Sequence, residues 1–175
     1  EIKLERIAPH KYQLHASDLM TKTPYGYLFK HASIDGSFTL DSGGHLEIKN
    51  VGLEGINSLI RLSKFSDKLN AHGDLKTIHL DWHGTIYHPR GLNFVTDFEQ
   101  IGLDSKESNI PSFNNLNGRI TAGESSGTIA LKLQNATLNY PKNLWQALNI
   151  KNLITIVNWD HESQNHLRIT IPMLS

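Results

Sequence analysis

A chain of 175 residues can bury a core without covalent staples, and its 17 basic and 17 acidic side chains cancel without forming blocks of like charge, which excludes the electrostatic footprint of a DNA- or RNA-binding surface. It contains no cysteine, so disulfides, thiolate nucleophiles and cysteine-ligated metals are excluded. No apolar run approaches the ~20 residues of a membrane helix, and the first six residues lack the apolar centre of a signal peptide, so any export signal or anchor is expected to lie outside this sequence.

Along the chain the dominant pattern is period-two alternation of apolar and polar residues, the mark of strands with one buried face. Phe38 and Leu40 open it, followed by Leu46 and Ile48. Residues 55–70, GINSLIRLSKFSDKLN, break it: Ile56, Leu59, Leu62, Phe65 and Leu69 recur at three- and four-residue spacings, with Arg61, Lys64 and Lys68 on another arc. That spacing predicts an amphipathic helix of about four turns, stopped near Gly73. Alternation resumes with Leu80, Trp82 and Ile86, then Leu92, Phe94 and Phe98, then Ile120, then Ile129, Leu131 and Leu133. Residues 141–148, PKNLWQAL, begin with a proline suited to a first helical turn and predict a short helix. The final runs are Val157 with Trp159, and Leu167 with Ile169 and Ile171.

Turn-forming clusters separate the runs: Asp41-Ser42-Gly43-Gly44, His88-Pro89-Arg90-Gly91, Gly123 to Gly127, and Asp160 to Asn165. Antiparallel hairpins are the predicted outcome. IDGSFTLDSGGHLEIKNVGL (34–53) and LNGRITAGESSGTIALKLQNATL (116–138) share the order apolar, x, Gly, x, apolar, Thr, glycine-containing turn, alternating strand. LDWHGTIYHPRGLNFVTDF (80–98) and TIVNWDHESQNHLRITIPML (155–174) are looser versions. Four related hairpins predict a quasi-one-dimensional stack in place of one closed core.

Gly123-Glu124-Ser125-Ser126-Gly127 spells the G-x-S-x-G of a serine hydrolase. A nucleophile elbow needs a helix after the turn, whose amino end supplies backbone donors. Here Thr128-Ile129-Ala130-Leu131-Lys132-Leu133 follows, a strand pattern, so a polar hairpin tip is expected and Ser125 is not expected to be catalytic. His79, Asp81 and His83 alternate along one strand and form the best candidate metal set, but zinc needs a further ligand and a supporting shell. They read as a wet strand face, and neither metal nor cofactor is expected. Asp97 and Glu99 read as solvent-side strand residues, the Asn135-Ala136-Thr137 sequon as chance, and no phosphate loop or dinucleotide fingerprint occurs. Trp82 and Trp159 each end an alternating run on its apolar side, while Trp145 falls in the short predicted helix. Ordinary core packing would account for them. So would the lining of an apolar trough.

Three segments carry a family resemblance: GDLKTIHLDWHG (73–84), PSFNNLNGRITAGESSGTIALKLQNATLNYP (111–141) and LITIVNW (153–159). They are similar, in order, to a strand closing on tryptophan, a Pro-x-Phe hairpin running to a proline, and a second tryptophan-terminated strand of the large bacterial AsmA-like envelope proteins, most closely their YhdP branch. The resemblance covers roughly residues 73–171, with residues 1–72 fitting as a looser preceding repeat. Ile129 stands where that family often has leucine, and Ser125-Ser126 where a further glycine is common. The family offers no catalytic residues to transfer, so no enzymatic activity is implied.

The resemblance implies a mainly β fold of antiparallel hairpins bent into a curved, taco-like groove, to which the spacing adds the helices at about 55–70 and about 141–148. It implies a β repeat plus helix over 1–72 and an AsmA-like β region over 73–175, joined as one unit of a longer protein. Further implications are a periplasmic location in a Gram-negative bacterium, an inner-membrane anchor through a helix outside this sequence, and a role in moving phospholipids to the outer membrane. Phospholipid acyl chains are the implied partners, with other envelope proteins possible. The groove lining is expected to comprise Phe38, Leu40, Leu46, Ile48, Trp82, Ile86, Phe94, Phe98, Ile120, Ile129, Leu131, Leu133, Val157, Trp159, Leu167 and Ile169. The rival expectation is a closed β-sandwich acting as an envelope binding or scaffolding module.

Overall fold

The computed structural model describes residues 1–24, 26–55, 69–107, 109–163 and 166–174. The first five strands are β1 (Ile2–Ala8), β2 (Lys11–Thr23), β3 (Gly26–Thr39), β4 (Gly43–Gly52) and β5 (Leu69–Thr85). The remaining five are β6 (His88–Ser105), β7 (Ser112–Ala122), β8 (Ser126–Asn139), β9 (Leu148–Ser163) and β10 (His166–Leu174). Each pairs antiparallel with its neighbours in the sequence, so order in space equals order in the chain. The result is one open, curved sheet with β1 and β10 at its edges. Among the described strands, all substantial packing is between sequence neighbours, and no second sheet covers the first.

The four hairpins expected from the internal repeats are present as β3–β4, β5–β6, β7–β8 and β9–β10, and β1–β2 precedes them. Their turns close locally. At the β3–β4 turn Thr39 Oγ1 accepts from Ser42 N at 3.2 Å and donates to Gly43 O at 3.1 Å. At the β7–β8 turn Gly123 N donates to Ser126 O at 2.8 Å.

The short helix expected at 141–148 is replaced by a turn. Asn143 N and Leu144 N both donate to Tyr140 O, at 2.9 and 2.7 Å, and β9 begins at Leu148. Two helical turns are marginal without a packed face, and Trp145 is fully solvent-exposed, so this segment has no such face. Of the longer helix expected over 55–70, residue 55 ends a short helical stretch at 53–55, residues 56–68 lie outside the described residues, and 69–70 already belong to β5.

Cross-strand partners show which residues share a side. On the apolar side the occupied positions switch between even and odd numbers once in every strand from β2 to β9. The switches fall between Ala16 and Leu19, Phe29 and Ala32, Ile48 and Val51, and Leu75 and Ile78. They continue between Phe98 and Ile101, Phe113 and Leu116, Leu133 and Ala136, and Ile150 and Leu153. An extra residue inserted into a strand has this effect, because side chains alternate with period two. As it occurs in eight consecutive strands, the same face stays apolar on both sides of the line of switches.

Successive hairpins are joined by a recurring pair. Gly44 lies opposite Trp82, and Gly127 opposite Trp159. In both cases the indole lies across the glycine: an added Cβ would meet Trp82 Cη2 at 2.5 Å or Trp159 Cζ2 at 2.0 Å. The second glycine of the G-x-S-x-G stretch is therefore the seat of a tryptophan. Gly127→Ala should destabilise the sheet by about 1–3 kcal/mol through overpacking, read as a Tm lowered by several degrees and altered Trp159 fluorescence. Gly123→Ala, whose added Cβ has no heavy atom nearer than 3.6 Å, should leave both unchanged; equal effects of the two changes would refute this account.

Candidate functional site

The central row of the apolar face crosses nearly the whole sheet, from Ile2 through Ala16, Ile34, Ile48, Ile78, Thr96, Ile120 and Ile129 to Val157. Its one polar member, Thr96, is buried and donates from Oγ1 to Asp97 O at 3.2 Å, leaving its methyl to the row. A second row runs Leu4, Leu14, Gly36, Leu46, Leu80, Phe94, Ala122, Gly127, Trp159, Ile169. A third, across the line of switches for the first strands, links Phe29, Val51, Leu75, Phe98, Gly118, Leu131 and Thr155. No charged side chain stands in any of these rows. Large apolar side chains of the central row, Ile34, Ile48, Ile78, Ile120, Ile129 and Val157, are only half-buried, and among the described residues no second layer stands against them. Together the rows make an open apolar trough.

Large side chains also fill across the rows. Phe98 reaches toward Gly118, Leu46 toward Gly36, and Tyr12 stacks on Phe38 with ring centroids 5.6 Å apart. Glycine opposite an aromatic lets the ring lie flat on the backbone, which keeps the trough smooth.

The register places most of the expected lining residues on this one face. Phe38 belongs to a fourth row, Tyr12, Phe38, Gly44, Trp82. Leu133 pairs with Leu116 and Leu153, and Leu167 follows the alternation of Ile169. Leu40 and Ile86 lie in the β3–β4 and β5–β6 turns, 38% and 44% exposed, and so stand at the rim instead of in the ladder. Ile2, Leu4, Tyr12, Leu14, Ala16 and Ile34 join the face although the expectation began at Phe38. The alternation of Ile2 with Leu4 and of Tyr12, Leu14 and Ala16 was the available signal.

The opposite face is polar and ion-paired across strands. His15 Nδ1 donates to Asp35 Oδ1 at 2.5 Å and His45 Nδ1 to Asp81 Oδ1 at 2.8 Å, while His79 Nδ1 lies 3.4 Å from Glu47 Oε2. His79 and Asp81 thus turn to separate partners on β4, and among the described residues no three His, Asp or Glu side chains are grouped to hold a metal. Asp97 faces Arg119 at 3.6 Å and Glu99 faces Lys76 at 3.1 Å, so these carboxylates are paired with cations and do not form an acid–base couple. The hydrogen bond to Glu99 holds the Lys76 ammonium above its ordinary range. Ser125 sits at the β7–β8 tip, where its carbonyl accepts from His161 N at 2.7 Å and a strand, not a helix, follows.

A family model described as "YhdP protein" matches residues 2–175, so it includes the first 72 residues that the sequence resemblance covered only loosely. No curated protein and no solved structure matches the chain.

The polar face yields a signed pH dependence. Lys49 Nζ, 2.8 Å from Glu47 Oε1, holds that carboxyl below its usual value, and the same bond holds the ammonium above its own. The carboxylate's contribution is therefore present above its unfolded-state pKa and lost as pH falls through the folded one. The lysine's is present below its unfolded-state pKa and lost as pH rises through the folded one. The Tm difference between the native chain and Glu47→Gln should be small at neutral pH and vanish in strong acid; a difference that persists there would contradict the assignment.

Proposed function

The chain belongs to the YhdP family of envelope proteins, and from that premise we propose that its apolar trough carries the acyl chains of phospholipids as one stretch of a longer conduit between the inner and outer membranes of a Gram-negative cell. The observation that supports this reading is the trough itself: three rows without a charged side chain on the open face of a single-layer sheet. Each methylene withdrawn from water is favourable by about 0.8 kcal/mol, so a continuous apolar floor lowers the barrier to moving a tail through an aqueous compartment. Headgroups remain outside, in solvent.

Movement also requires that no site hold its cargo firmly. Aliphatic and aromatic walls offer many weak dispersion contacts and few directed ones, so each lipid position is nearly equivalent to the next, one strand spacing of ~4.8 Å away. Binding is accordingly weak and indifferent to headgroup. A sandwich-type scaffold would need a second sheet against the first, and among the described residues there is one sheet.

Photo-crosslinkers at Phe94 and Leu131, on the trough face, should capture phospholipid in cells. Probes at the adjacent Val95 and Ala130, on the other face, should capture little. Native mass spectrometry of detergent-free protein should show bound phospholipids of mixed headgroup, reduced by Ile129→Glu at the centre of the floor. Capture that is absent, or equal on the two faces, would rule the reading out.

A further inference from the structure

The parity switches trace an oblique line. Measured from the central row, the switch lies two residues beyond Ala16 at Asp18, two beyond Ile48 at Asn50, four beyond Thr96 at Gln100, five from Ile120 at Asn115, and six beyond Ile129 at Asn135. Two independent observations mark that line as special. Asp18, His31, Asn50, Gln100, Asn115 and Asn135, with φ between 52° and 60°, are the non-glycine left-handed residues among the described strands. His10, in the β1–β2 turn, is the other non-glycine residue of positive φ among the described residues. Burial is also deepest beside the line: Ala16, Ala32, Val51, Phe98, Leu133 and Ala136, each flanking a switch, make up all but one of the buried apolar side chains.

A left-handed residue inserted in a strand bends it and sharpens its twist. Asparagine, aspartate and histidine tolerate that backbone better than other side-chain-bearing residues. Here the bends are tied from strand to strand. His31 Nδ1 donates to Asp18 Oδ1 at 2.5 Å, Asn50 Nδ2 to His31 O at 3.4 Å, Gln100 N to Asn117 Oδ1 at 3.0 Å, and Asn115 Nδ2 to Gln134 O at 2.5 Å. Gly73, with φ 109°, passes so close to Gln100 that an added Cβ would meet its carbonyl oxygen at 2.6 Å.

We propose that this column is the fold line of the trough: it creases the sheet so that two walls converge, and by fixing their separation it sets the cross-section of amphiphile that the trough admits. Deep burial of apolar side chains beside the line follows directly, since walls meeting at a crease shield each other there. The width-selecting role rests on the trough being the lipid track; the crease itself does not.

Asn135 isolates the backbone effect. Asn135→Ala and Asn135→Gly both delete the amide, but only alanine is penalised in the left-handed region, which corresponds to about a five- to thirtyfold shift away from the bent form of β8. Because the chain lacks cysteine, spin labels at Ser125→Cys and Lys142→Cys, beyond the two ends of β8, report the chord across the bend by pulsed electron resonance. Asn135→Ala should lengthen and broaden that distance and lower the bound phospholipid seen by native mass spectrometry, whereas Asn135→Gly should match the native chain. Asn115→Ala against Asn115→Gly gives the same comparison on β7 should one variant fail to fold. A distance unchanged by alanine, or changed equally by glycine, overturns the fold line. A lengthened chord with lipid retained in full overturns width selection. A lengthened chord with no lipid on any form, native included, leaves the crease standing and removes the lipid reading.

Discussion

A sheet in which every strand pairs only with its sequence neighbours stays in one layer, and a single layer cannot bury its own apolar face. Most soluble domains resolve this by packing a second layer over the first. In this chain the cost is reduced laterally. Isoleucines of the central row stand beside one another at the ~4.8 Å strand spacing, and aromatic rings cover glycines on the adjacent strand. What lateral contact leaves exposed is the inner surface of the trough. An unsealed apolar face is ordinarily a liability; here its rows are continuous and carry no charged side chain.

Keeping that face apolar through a bend imposes a second requirement. A bulge confined to one strand would put the following residues out of phase with their neighbours, turning leucines to water and lysines inward. Matching the insertion strand by strand removes the conflict, which explains why the switches recur from β2 to β9 instead of appearing singly. In β5 the switch falls at Lys76 with no left-handed residue in the gap, and Gly73 supplies the unusual backbone a few residues further on. Curvature and facial segregation are thus two results of one device.

The legible part of this architecture was the part that repeats with period two. Leu46 with Ile48, Phe94 with Phe98, and Ile129 through Leu133 alternate over enough residues to declare their strands and their shared side. The crease was harder to read because it interrupts alternation: after Ile48, the sequence Lys49-Asn50-Val51 looks like the end of a strand when it is a change of phase within one. The same signature, an apolar residue followed after three positions by another with asparagine between, occurs at Leu133, Asn135 and Ala136 and at Phe113, Asn115 and Leu116. PKNLWQAL misled for a different reason. Its proline and spaced leucines fit a helix locally, but a helix that short requires something to pack on, and among the described residues nothing covers Trp145 at that rim.

The two faces also differ in what fixes their orientation. Cross-strand His–carboxylate and Lys76–Glu99 pairs on the outside are individually weak because they are exposed, yet they fix which face is wet in strands where composition alone is ambiguous. β9 is the instructive case: Ile154 and Ile156 point outward and stand 49% and 39% exposed, while Val157 and Trp159 face the trough. Apolar residues occupy both sides of that strand, so hydrophobicity cannot orient it. Its register can: Gly127 opposite Trp159 accepts the indole on one side only, and Thr128 Oγ1 donates to Asn158 Oδ1 at 2.9 Å on the other. A glycine seat and a polar pair, two adjacent rungs of one ladder, therefore decide which of two greasy surfaces joins the apolar face of the sheet.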